Sequence, residues 1–178
     1  MKNGYTEEAE FDACFANLGV QDKPWQIQMD VYLEDDQSDP PKFRIECPLP
    51  IKEVKPGETY VVFQNKCRPG FDILFHLHDE THKGYTFPKH ADEAVWSKIG
   101  TTCPDERWGK NEVLSPKRVL PDGLTLVVNN NNDKKEDGSP IGLFRYTLNV
   151  GLNGEKPYLQ LDPGGDDQNG MRSFTLTR

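Results

Sequence analysis

The four histidines of this 178-residue chain, His76, His78, His82 and His90, all fall between positions 76 and 90. His76 and His78 are separated by one residue. On an extended strand that spacing puts both imidazoles on one face, about 7 Å apart. With His82 following in the adjacent turn, three neutral ring nitrogens suit zinc or another divalent first-row metal that keeps an open coordination position. His76, His78 and His82 are therefore the candidate metal ligands. The competing reading is a solvated outer sheet face, because bare spacing lacks the supporting hydrogen bonds that orient true metal ligands.

Other residue types carry weaker chemistry. Tyr85, Trp96 and Trp108, with Phe87, crowd one irregular stretch. Exposed aromatics on a loop stack on sugars or anchor a protein partner, whereas buried ones only hold the loop in order. Tyr85, Trp96 and Trp108 are the candidate ligand-binding residues. Asp162, Asp166, Asp167 and Asn169 offer oxygens of the kind calcium takes from flexible loops, although the regular alternating Asp/Asn loop pattern is absent. Cys67 lies between Lys66 and Arg68, which would favour a thiolate, but a cysteine near a strand end is more often a small packed residue. No nucleophile elbow, phosphate-binding glycine loop or His-Glu-x-x-His helix occurs, so no catalytic residue is assigned and a non-enzymatic role is expected.

The elements that must position these residues follow a period of two. In residues 25–33 every odd position is large and apolar, and every even position except Tyr32 is polar. This is a strand with one face on a core and one in water. A second strand is expected to hold Phe43, Ile45, Cys47, Leu49 and Ile51 on one face, with Pro48 and Pro50 pointing to an edge or an early end. Residues 59–64 read as a buried strand. In residues 71–78, Phe71, Ile73, Phe75 and Leu77 face inward, and Asp72, Leu74, His76 and His78 face outward.

Residues 80–116 are the least regular part, with a helical turn or two expected from Ala91 to Lys98. Strands at 117–120 and 124–128 flank a Pro-Asp-Gly turn. Alternation resumes at Phe144, Tyr146, Leu148 and Val150, and Asn153-Gly154 is a hairpin signal. A short strand follows at 158–161, a Gly- and Asp-rich turn at 162–170, and a last strand at 173–177. Residues 1–23 are expected to form an N-terminal arm or short helix, with Phe11, Cys14, Phe15 and Leu18 spaced three and four apart.

The run Ile51-Lys52-Glu53-Val54-Lys55-Pro56-Gly57-Glu58-Thr59-Tyr60-Val61-Val62-Phe63-Gln64-Asn65 resembles the central segment of cupredoxin-like sandwiches, where a Pro-Gly turn precedes a strand ending in Asn. Gly142-Leu143-Phe144-Arg145-Tyr146-Thr147-Leu148 resembles their late strand, and such patterns also occur in immunoglobulin-like domains. The resemblance implies a β-sandwich fold. It does not carry over the family's copper site, which takes Cys, His and Met from a late loop. Here the last cysteine is Cys103, the last histidine is His90 and Met171 stands alone.

Composition bounds the rest. A net charge of −8 argues against nucleic acid and anionic membranes as partners. No apolar run is long enough to span a bilayer, and residues 1–20 lack the pattern of a signal peptide, so cytoplasmic residence with free thiols is expected. The fold class expected is all-β: a single antiparallel β-sandwich of eight or nine strands over residues 24–178, with a long irregular insertion at 80–116. The function expected is a soluble binding or protein-interaction module with a protein partner or a second copy. A divalent-metal protein and a carbohydrate-binding domain are the alternatives.

Overall fold

The computed structural model describes residues 26–35, 37–47, 51–55, 58–64, 71–102, 104, 113–130, 137, 139, 141–162 and 164–168; for 51–55, 58–64 and 164–168 it gives the backbone course, with Val61 also placed in the core. The expected arm at 1–23 and the expected strand at 173–177 lie outside these residues, as do Cys67, Trp108 and Asn169.

Twelve strands and one helical turn follow in order among the described residues: β1 (Gln26–Leu33), β2 (Phe43–Glu46), β3 (Ile51–Lys55), β4 (Glu58–Gln64), β5 (Phe71–Asp79), β6 (Tyr85–Thr86), α1 (Ala91–Ala94), β7 (Val95–Ile99), β8 (Leu114–Val119), β9 (Thr125–Asn130), β10 (Gly142–Leu152), β11 (Leu159–Leu161) and β12 (Gly164–Gln168). They build two sheets. The first has the order β2-β1-β5-β9-β8. The second has the order β11-β10-β12-β4-β3, with β6 and β7 also paired to β10.

The alternation in β1 and β5 does what the period of two requires. Ile27, Met29, Val31 and Leu33 are buried, as are Phe71, Ile73, Phe75 and Leu77, while the residues between them are half-buried or exposed. Phe144, Tyr146, Leu148 and Val150 of β10 are buried in the same core. Phe75 and Tyr146 meet across the two sheets with ring centroids 5.6 Å apart. The Asn153-Gly154 turn forms as expected. Both residues have positive φ, and Gly154 N donates to Gly151 O at 3.0 Å. Among the described residues no helix is long and apolar enough to cross a membrane.

Several expectations are corrected. The pairing is not purely antiparallel: β1 runs parallel to β5 over eight residue pairs, and β12 runs parallel to β4. The alternation of a half-buried strand does not encode direction, so hydrophobic pattern could not reveal this. The expected strand from Phe43 to Ile51 is two strands in different sheets, β2 on β1 and β3 on β4. Pro48 and Pro50, outside the described residues, lie between them in sequence, and proline has no N–H to give to a ladder.

The stretch from Gly164 to Gln168, expected as a turn, is strand β12 between β10 and β4. Neighbouring strands on both sides override the poor intrinsic strand preference of Gly and Asp. Asp166 and Asp167 thus belong to a paired strand instead of a flexible calcium-wrapping loop. Within 80–116 the helical turn is present as α1, but the chain then enters β7, which pairs with β10 from Phe144 to Leu148.

Candidate functional site

The outward face of the first sheet gathers the chemistry. Tyr32 of β1 lies opposite Arg44 of β2 on one side and His78 of β5 on the other; Asp30 lies opposite Glu46 and His76 in the next register row. The Tyr32 and His78 rings are stacked, with centroids 4.3 Å apart and planes 10° from parallel. The Arg44 guanidinium sits 3.8 Å from the centroid of the Tyr32 ring. Three side chains from three adjacent strands thus form one layer, a cation over an aromatic ring over an imidazole. His76 closes the row, its ring edge-on to His78 at 4.8 Å.

Hydrogen bonds lock this layer. His78 Nε2 is 2.8 Å from Asp30 Oδ1, and His76 Nδ1 is 2.9 Å from Thr125 Oγ1 on β9. Burial works against charge on Asp30. Hydrogen bonds from His78 and Gln28, with the charge of the histidines, outweigh it and hold the carboxyl below the usual carboxylate range. Arg44 meets three carboxylates: Glu34 at 3.3 Å from Nε, Glu80 at 3.6 Å, and Glu46 in close contact. Farther along the same face, Lys117 Nζ is 2.7 Å from Asp72 Oδ1, which also accepts from Asn129 Nδ2 at 2.9 Å.

His76 and His78 share the outer face as expected. His82 sits in the turn after β5, exposed and with φ of 57°. That turn is organised by Asp79. Its carboxylate accepts from Thr81 N at 3.1 Å, Thr81 Oγ1 at 2.5 Å, Gly84 N at 2.8 Å and Tyr85 N at 2.9 Å. Burial disfavours its charge, but these donors more than offset that and lower its pKa. Both oxygens of Asp79 are engaged, so the carboxylate nearest the histidines in sequence is held by the turn. Among the described residues no three His, Cys, Asp or Glu side chains form a group able to hold a metal ion.

Of the aromatic candidates, Tyr85 and Trp96 do not converge on this face, and Trp108 lies outside the described residues. Tyr85 is half-buried against the core. Trp96 on β7 is half-buried, and its indole Nε1 is buried without a hydrogen-bond partner. Tyr158 donates to Glu93 Oε2 at 2.5 Å, and burial followed by this contact with a carboxylate pushes its pKa up to about 12. A separate open pocket of about 450 Å³ lies between the Leu120–Gly123 turn and Asn153, with Phe87 and Lys89 in its wall.

Asp30, Tyr32, Arg44 and Thr125 were not singled out from the sequence. One signal was available: Tyr32 is the large aromatic among the otherwise polar outward positions of β1. Its partners come from β2, β5 and β9, and pairing across the sheet is what assembles them. No family model matches the chain, and no curated protein matches it.

Proposed function

We propose that this protein is a non-enzymatic two-layer β-sandwich module that binds a protein partner through the outward face of its first sheet. The observation that carries the reading is the Arg44–Tyr32–His78 layer. It is a half-exposed, pre-ordered set of one cation and two rings on a sheet scaffold, with hydrogen-bonding groups around it. Rigid aromatic and arginine side chains give contact area at low entropic cost, which is why they anchor interfaces. The common core between the sheets supports the sandwich reading.

The non-enzymatic reading of this face is supported by how its described polar groups are wired. A nucleophile–base–acid relay needs the carboxylate to orient the imidazole that contacts the hydroxyl. Here Thr125 contacts His76, whereas Asp30 contacts His78. The two pairs lie side by side and do not run in series. The acidic net charge supports a protein partner over nucleic acid or an anionic membrane.

The test is affinity capture with the wild type beside a Tyr32→Ser/His78→Ser variant whose fold is checked by circular dichroism. A partner retained by the wild type and lost by the folded variant is the expected result. Equal capture by both refutes this face as the binding surface. Two further results would replace the reading. Stoichiometric metal lost in a His76→Ala/His78→Ala variant would make the protein a metal-binding one. A Trp96 fluorescence change on sugar titration would make it a carbohydrate-binding one.

A further inference from the structure

We infer that the partner is a second copy of this chain, docked face to face on the first sheet about a two-fold axis parallel to the strands; this rests on the reading of that face as the recognition surface. The argument starts from how charge is laid across the sheet. At the β2/β1 margin, Glu34, Glu46 and Glu80 pair with one guanidinium, that of Arg44, and Asp30 pairs with His78. Four carboxylates against Arg44 and the adjoining Lys42 leave this margin negative.

At the opposite margin, Arg118 of β8 lies opposite Val127, on the outward side. Lys117 joins it across a local shift of register and pairs with Asp72. Two cations against one carboxylate leave that margin positive. Between them the central strip carries Leu74 and the two histidines, with Val127 buried at 3% exposure yet outside the core shared by the sheets.

A surface that is negative along one edge and positive along the other is self-complementary in one orientation. Two copies stacked face to face about an axis across the strands would set the acidic margin on the acidic margin. An axis along the strands sets β2/β1 of each copy over β8 of the other, twice, as a closed isologous contact requires. Rotation about that axis keeps height along the strands, so at both edges Arg118, in the row of Leu74, comes nearest Glu46, in the adjacent outward row of His76, and β5 lies over β5 at the centre.

The area suffices for a modest dimer. Five strands of four to nine residues, spaced about 4.8 Å apart and rising about 3.3 Å per residue, present roughly 500 Å². Two such faces bury about 1,000 Å², in the range of weak, transient interfaces. The net charge of −8 repels copies at long range. At physiological ionic strength a Debye length of about 8 Å confines that repulsion, so the local pattern decides the contact.

The test is sedimentation velocity over a wide concentration range on the wild type and two charge reversals. One is Lys117→Glu/Arg118→Glu, with Arg118→Glu alone as the variant that leaves the Lys117–Asp72 pair intact. The other is Glu46→Lys/Glu80→Lys. The wild type is expected to reach twice the monomer mass. Each reversal, its fold verified by circular dichroism, is expected to weaken association about tenfold or more, because like charges then face each other. An equimolar mixture of the two reversals restores the dimer, now with one all-acidic and one all-basic face.

A wild type that stays monomeric at every concentration overturns the inference. So does a dimer that both reversals leave intact, or a mixture that stays monomeric while the wild type pairs. A monomeric wild type that still captures a different protein in a Tyr32- and His78-dependent way would refute self-association alone and leave the recognition face standing.

Discussion

Replacing Ser97 with alanine isolates one polar joint of this fold. Ser97 is fully buried in β7, and its hydroxyl reaches across to the start of β8. It accepts from Val113 N at 3.3 Å and from Leu114 N at 3.0 Å, and it faces Leu114 O at 3.5 Å. One hydroxyl thus serves two backbone donors, its full accepting capacity. Ser97→Ala removes a single oxygen and leaves almost no cavity. The cost is therefore the stranding of two buried N–H groups, each about 1–3 kcal/mol.

The expected loss for Ser97→Ala is about 3 kcal/mol. At roughly 2–4 °C per kcal/mol for a chain of this size, Tm should fall by about 6–12 °C. Urea unfolding followed by tryptophan fluorescence should show a lower midpoint with an unchanged slope. Amide exchange at Val113 and Leu114 should accelerate before that of β1 or β5. A loss below about 1 kcal/mol, with those two amides still protected, would refute the claim that this hydroxyl joins β7 to β8.

Three other outcomes follow. Asp79→Ala should cost about 2 kcal/mol, since charge-assisted hydrogen bonds to a half-buried carboxylate are lost; because the carboxyl's pKa is depressed in the fold, that difference from wild type is full above about pH 4 and shrinks as pH falls through the lower folded value, as denaturation at stepped pH will show. Tyr158→Phe should remove one phenol titrating near pH 12 from the ultraviolet titration curve, with little change in Tm because the pair is near the surface. Gly154→Ala should destabilise the hairpin by about 2 kcal/mol or more, because φ is +74° and a Cβ would lie 2.7 Å from Phe87 O; a melting temperature equal to wild type would contradict that geometry.

Much of the strand content was legible because alternation survives wherever the inward positions are apolar, as in β1, β5 and β10. Strand β7 was not legible for a reason that Ser97 makes concrete. Its inward positions are Val95 and Ser97, so the apolar alternation breaks at the residue that caps the neighbouring backbone. Strand β12 was hidden by glycine and aspartate, whose extended state comes from their neighbours. The prolines at 48 and 50 marked an interruption, but not that the chain changes sheets there. The outer-face histidines were visible as a pair. Their working neighbours were not, because Arg44, Tyr32 and Asp30 meet them only through pairing across strands distant in sequence.

The parallel pairing of β1 with β5 also governs how the chain leaves the ribosome. One edge of β1 can close at once, since β2 follows within about ten residues and pairs antiparallel with it. The other edge must wait for β5, about 46 residues later. At a synthesis rate of about 5–20 residues per second, that is roughly 2–9 s during which a nascent amphipathic hairpin holds one row of backbone donors and acceptors open. Slow translation between residues 34 and 70 would lengthen this exposure, and codon usage or chaperone binding along that stretch would set the yield of folded protein.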